Sequence, residues 1–215
     1  KLEIFRTGYY GGTGARLMKT FESIKAATQP DPPVGENYVR ECQWEPTVEL
    51  EIPKTWPSGV YLGKMTAERS GIQSYVIFIV RDDRPCDFLF QCSDLTWSAY
   101  NRWPMDYSIY TEHENWTSIG VPSGTVSFDR PYGLFTHPVN KMKKSGGSGE
   151  YLPWEFPLAF WMEKEGYDVS YISNVQRGPI LLTAVHSCVA MRGGDISNTA
   201  IKNHNREQWT SVICM

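Results

Sequence analysis

The sequence predicts an α/β domain preceded by a β-rich segment, and three stretches carry that prediction. Tyr75-Val76-Ile77-Phe78-Ile79-Val80 is a continuous apolar, β-branched run, the pattern of a strand buried on both faces in a parallel or mixed sheet. Trp154 to Glu165 reads as a helix stopped by Gly166, and Tyr167 to Ile172 reads as a strand close behind it, so helix and strand alternate in the second half. Thr47-Val48-Glu49-Leu50-Glu51-Ile52-Pro53 alternates polar and apolar, the period-two signature of a half-buried strand. The expected division is 1–72, β-rich, and 73–215, α/β, with a long loop over 101–150 and a divergent tail over 176–215.

Lys1 to Arg6 reads as a first strand and not as a signal peptide. Gly8-Tyr9-Tyr10-Gly11-Gly12-Thr13-Gly14 follows, where the glycines imply tight turns; with no Gly-Lys-Ser/Thr after it, a structural turn is favoured over a phosphate cradle. Gln29-Pro30-Asp31-Pro32-Pro33 is a connector, and Trp56-Pro57-Ser58-Gly59 a turn entering the strand Val60-Tyr61-Leu62. Asp87 to Cys92 is another buried strand, ending in a polar and aromatic cluster from Ser93 to Asn101, the kind of position where ligand sites form in open α/β sheets. The stretch from Asn101 to Lys144 is too long for an ordinary connection and reads as a functional excursion. Ser145-Gly146-Gly147-Ser148-Gly149-Glu150 has the composition of a flexible linker.

Composition excludes some functions. The 215 residues carry a formal net charge of −3 from 24 acidic and 21 basic residues, interspersed and not blocked, so neither nucleic acid nor an anionic membrane is an expected partner. No apolar run reaches the ~18 residues that span a bilayer. Cys42, Cys86, Cys92, Cys188 and Cys214 are odd in number and lack metal-ligand spacing; as buried or incidental free thiols they suit a reducing, cytoplasmic setting.

Five motifs occur in order: Gly8-Tyr9-Tyr10-Gly11-Gly12-Thr13-Gly14-Ala15-Arg16, Trp56-Pro57-Ser58-Gly59-Val60-Tyr61, Thr96-Trp97-Ser98-Ala99-Tyr100-Asn101, Ser127-Phe128-Asp129-Arg130-Pro131-Tyr132 and Trp154-Glu155-Phe156-Pro157-Leu158. Together they resemble the C-terminal region of the N,N-dimethylformamidase large (beta) subunit, over residues 1 to about 175. Beyond Val175, the Gly-His-Asp-Glu-Tyr-Trp motif expected of that family is not present. The resemblance implies a β-sandwich-like segment packed on a flavodoxin-like (class I glutamine amidotransferase-like) α/β domain, here short of strands. It also implies a mononuclear Fe(III) held by Tyr61, Tyr100 and Glu155, hydrolysis of the C–N bond of small N-substituted amides, and an oligomer or an additional subunit.

That chemistry is coherent. Ferric iron is a hard cation that prefers anionic oxygen donors, and the metal itself would have to drive deprotonation of phenols whose ordinary pKa is about 10. A bound water could become the nucleophile while the carbonyl is polarised. The amine leaving group needs a general acid, for which His113, Glu112 and Glu114 in the long loop are candidates. Each residue also has a plainer reading: Tyr61 and Tyr100 as packed aromatics, Glu155 as a carboxylate favoured at a helix start, His113 and His137 as surface histidines. The alternative class is a non-catalytic carbohydrate- or partner-binding module, or a truncated, inactive family member.

Overall fold

A computed structural model of the chain describes residues 1–104, 108–109, 125–133 and 145–174, with the backbone of 185–189 and 210–213. In chain order the elements are β1 (Leu2–Thr7), β2 (Ala15–Phe21), β3 (Val48–Glu51), β4 (Gly59–Thr66), β5 (Gln73–Val80), β6 (Cys86–Cys92), α1 (Asp94–Tyr100), α2 (Phe156–Lys164), β7 (Val169–Ser173), β8 (Val185–Val189) and β9 (Thr210–Ile213). A four-stranded sheet runs β2-β1-β4-β5 with every neighbour antiparallel. β3 pairs antiparallel with β9. β6 lies between β7 and β8, parallel to both.

The expectation of an α/β, flavodoxin-like domain is overturned. Among the described residues there are two short helices, and most strands lie in antiparallel sheets: the fold is β-rich. The apolar run of β5 is only half-buried, but it packs against apolar side chains on both faces. Ile77 and Ile79 pack with Val60 into one core, whereas Val76, Phe78 and Val80 pack with Tyr61 into another. The sheet has apolar material on both sides, so a strand at its edge reads like a strand of a parallel sheet.

The register follows from this division. Val60 faces Ile79 and Tyr61 faces Phe78 across the β4–β5 ladder, so neighbours in sequence enter different cores. A slip of one residue would exchange the two sets, each large side chain being worth about 1.5–3 kcal/mol when buried. The first core gathers Val60, Phe90, Cys92, Trp97, Tyr151, Ala159, Met162, Val169 and Tyr171; the second is built on Leu2, Ile4, Leu50 and Tyr61.

Polar ties join these parts. The Arg6 guanidinium pairs with Glu163 of α2, NH2 to Oε1 at 2.9 Å, and also donates to the Ser58 carbonyl from Nε (2.9 Å) and NH2 (2.7 Å). Burial alone would ease deprotonation of Arg6, but Glu163 and Tyr10 outweigh it and hold the proton. A Cβ on Gly8 would lie 2.1 Å from Glu163 Oε2, so the glycine makes room for this pair. The structure thus bears out the turn reading of the glycine loop, with Gly8 N–H bonded to Gly14 O at 2.9 Å. The second glycine stretch, linker-like by composition, is packed: Ser145 and Ser148 are buried, Gly146 O accepts the Tyr75 N–H at 2.6 Å, and a Cβ on Gly147 would meet Tyr75 O at 2.2 Å.

Candidate functional site

β6 and β7 end side by side, Cys92 opposite Ser173, and the chain leaving β6 turns at Ser93 into α1. Asp94 ties the two ends together, its carboxylate accepting the Ser173 hydroxyl at 2.5 Å and the Asn174 N–H at 2.6 Å. Burial raises the Asp94 pKa in spite of those bonds.

Above these ends sits Glu155. It lies where a π-turn over Tyr151–Glu155 passes into α2, a helix that starts with Pro157 at its second residue and stops before Gly166. The side chain does not cap its own helix. Its Oε1 accepts the Ser93 N–H at 3.1 Å and the Trp97 Nε1–H at 2.8 Å, both from the start of α1. Glu155 is only 3% exposed, and its Oε2 is buried with no hydrogen-bond partner among the described residues. Burial pushes its pKa up to about 7, with Asp94 adding to the rise against the Trp97 and Ser93 bonds.

Glu150 stands at the other end of the π-turn, 7% exposed, its carboxyl pushed up to about 7 by burial and by Glu155. Trp97 is the hub of the surroundings: its ring is edge-on to Tyr132 at 6.4 Å and to Tyr151 at 6.0 Å, and a Cβ on Gly149 would touch it at 3.1 Å. Burial raises the Tyr132 phenol, and the carboxylates of Asp94, Glu155 and Glu150 raise it further. The Tyr151 hydroxyl is already engaged with Thr7 Oγ1 at 2.8 Å.

The far end of α1 is clamped by the Arg130-Pro131-Tyr132 segment. Arg130 donates to the carbonyls of Ser127 (3.0 Å), Asn101 (3.1 Å), Trp103 (3.0 Å) and Ser98 (2.8 Å). Asn101 answers through Nδ2–H to Pro131 O, while its Oδ1 accepts from Trp103 and Gly133 N–H. Tyr100, the last residue of α1, lies between Ser98 and Asn101, whose carbonyls Arg130 binds, and is half-buried.

The residues expected to hold iron do not all meet. Glu155 fits a hard cation, being buried with one oxygen that no described residue engages, and Tyr100 sits on the helix whose first turn binds Glu155. Tyr61 does not fit beside them. Its ring is stacked between Trp56 (5.1 Å) and Phe78 (5.4 Å) in the second core, its hydroxyl donates to Pro57 O at 2.7 Å, and burial raises its pKa. Among the described residues no three His, Cys, Asp or Glu side chains are grouped so as to hold a metal ion. Glu112, His113, Glu114 and His137 lie outside the described residues. Glu150, Asp94 and Tyr132 were not singled out individually by sequence reasoning; Asp94 had a signal as part of the cluster after β6 and Tyr132 as part of a motif, and Glu150 had none.

A family model described as N,N-dimethylformamidase beta subunit-like, C-terminal, matches residues 1–195. The match therefore runs some way past Val175, where the resemblance by motif stopped. No curated protein matches the chain.

Proposed function

Because the chain belongs to the N,N-dimethylformamidase beta subunit-like family, we propose that this hydrolase cleaves the C–N bond of small N-substituted amides in an iron-dependent reaction centred on Glu155. The observation that carries the reading is the buried Oε2 of Glu155, without a hydrogen-bond partner among the described residues, above the paired ends of β6 and β7. Ferric iron held by Glu155 would supply Lewis acidity toward the amide carbonyl. The chain's own residues do the rest. Ser93 and Trp97 hold Oε1 and so fix where Oε2 points. The rings of Trp97, Tyr132 and Tyr151 form an apolar wall suited to N-alkyl groups. The proton for the departing amine is assigned to His113 or Glu114 of the long loop.

Iron content and visible absorption of the wild type, Glu155→Gln and Tyr100→Phe test this, together with hydrolysis of a dialkylformamide. About one iron per chain, lost in Glu155→Gln, with amine release that depends on it, supports the reading. A wild type that takes up no iron and releases no amine removes it. Iron binding without turnover supports an inactive family member.

A second reading rests on a different face. Trp154, Pro157 and Trp161 are exposed, and Trp161 meets the exposed Tyr167 ring at 5.6 Å. Such an aromatic patch suits a non-catalytic contact with a further subunit, which the family's description as a beta subunit makes plausible. Loss of a co-purifying subunit in Trp161→Ser, with iron unchanged, would favour it. No described helix is long and apolar enough to cross a membrane.

A further inference from the structure

Beyond the far end of α1, the stretch before β3 is tied to the Arg130 segment: Thr125 N–H donates to Asn37 O at 3.0 Å and Cys42 N–H to Asp129 O at 2.6 Å. Between the two, Tyr38, Arg40, Trp103, Pro104, Val126 and Arg130 line a recess of about 240 Å³, partly open to solvent. That is below the roughly 300–1,000 Å³ of pockets for drug-sized ligands, so only a small molecule fits. Two guanidiniums share the space, and like charges brought together favour an anion between them. Arg130 is fixed by its four carbonyls, which orient its charge without cancelling it. Arg40 is anchored through NH1 on the Pro32 carbonyl at 3.2 Å.

The remaining walls are apolar and held in place. Trp44 braces the Trp103 ring edge-on at 5.7 Å and is itself held by Nε1–H on Pro30 O at 2.7 Å. Tyr38 sits at φ +61°, directly after Asn37 at φ +52°. A tyrosine pays a steric penalty in the left-handed region, and such strain persists only where the surroundings enforce it. Here Gly35 N–H on Val39 O at 2.7 Å closes the turn, and the Thr125–Asn37 bond pins it, keeping an exposed ring at the recess.

We propose that this recess is a binding site for a small organic carboxylate with an apolar body. The Arg40 fork takes the carboxylate and Arg130 supplies a second positive charge, while the Tyr38 and Trp103 rings, Pro104 and Val126 take the apolar part. A guanidinium matches a planar carboxylate with two parallel N–H bonds, and the apolar walls disfavour the more strongly hydrated phosphate. The site rests on neither iron, Glu155 nor the amide reaction.

The test is isothermal titration calorimetry of the full chain with sodium benzoate, sodium acetate and inorganic phosphate at constant ionic strength, for the wild type, Arg40→Gln, Tyr38→Gly and Arg16→Gln. Expected is about one benzoate per wild-type chain with millimolar or tighter affinity, acetate weaker and phosphate weaker still. Arg40→Gln should weaken benzoate about tenfold or more, through loss of the charge-assisted pair. Tyr38→Gly removes a wall where the backbone favours glycine, so it should weaken benzoate severalfold in a chain that still folds. Arg16, an exposed arginine of β2, serves as the control, and Arg16→Gln should leave benzoate affinity unchanged. If Arg40→Gln fails to fold, Arg40→Lys takes its place, keeping the charge but not the fork, with a severalfold weakening expected. A wild type that binds no benzoate overturns the proposal, as does wild-type affinity in the Arg40 variant. Phosphate held as tightly as benzoate, or an equal loss in Arg16→Gln, overturns it as well. A wild type without iron would defeat the hydrolase reading and leave these expectations unchanged.

Discussion

Ser58 serves Tyr171 as a neighbouring strand would: its Oγ accepts the Tyr171 N–H at 2.8 Å and donates to the Tyr171 C=O at 3.4 Å. β7 is an edge strand, and this one hydroxyl from the start of β4 satisfies both groups of a buried residue on its open side. Ser58→Ala leaves a buried amide without its partner. Urea unfolding should show a loss of about 1–3 kcal/mol, larger than for a surface Ser→Ala such as Ser70→Ala.

Gly147 makes the closest backbone approach in the glycine stretch, at φ +96°. Alanine there adds left-handed strain to a clash with the Tyr75 carbonyl, which cannot swing away because Tyr75 lies in β5. Gly147→Ala should lower stability by about 3 kcal/mol, and Gly71→Ala, where a Cβ meets nothing within 4 Å, should cost much less. Equal losses in the two would mean that strain and not contact decides.

Glu155 and Glu150 predict a pH dependence of the metal-free chain. Each carboxyl has a reference pKa of 4.5 and is raised in the folded state to about 7. The native chain therefore binds more protons between those values than the unfolded chain does. Their contribution to stability is fully present below about pH 4.5 and is lost as pH rises through about 7. Thermal unfolding across pH 4 to 8 should show this decline, flatter in Glu155→Gln. An equally steep decline in that variant would place the titration elsewhere.

Arg130 satisfies four carbonyls at once around the end of α1. Arg130→Ala should cost about 3 kcal/mol, because buried acceptors lose a charged donor. It should also shift any tyrosinate-to-metal absorption that involves Tyr100, since Arg130 holds the carbonyls of Ser98 and Asn101 on either side of that residue. Arg130→Lys, with one point charge in place of a planar fork, should restore little.

Much of the strand layout was legible: β1, β3, β4, β5, β6 and β7 lie where alternation or apolar runs placed them, and α2 ends before Gly166 as its C-terminal signal required. Strand direction was not legible, because a sheet with a core on each face produces the same apolar run whichever way its neighbours point. α1 was hidden within a polar and aromatic cluster, and β2, with its exposed Leu17, lacks a clean alternation. The site divides in the same way. Glu155 was reachable through its motif, but Glu150 follows five residues with linker composition and looks solvated on paper. A π-turn has no sequence signature, so the burial of both carboxyls at its two ends could not be counted from their spacing. For Tyr61 the motif says nothing about which face of β4 it occupies, and alternation with Val60 sends it away from Glu155.

That alternation reaches beyond the site. Because consecutive residues of β4 anchor different cores, the strand is a wall common to both, and neither side can loosen without withdrawing support from the other. The amides of β4 should therefore exchange with solvent deuterium only when the whole chain opens, in step with those of β1, while the exposed turn around Gly71 exchanges far sooner. A protein built this way has little opportunity to shed one half and keep the other; damage on either side of the wall is felt as a failure of the whole.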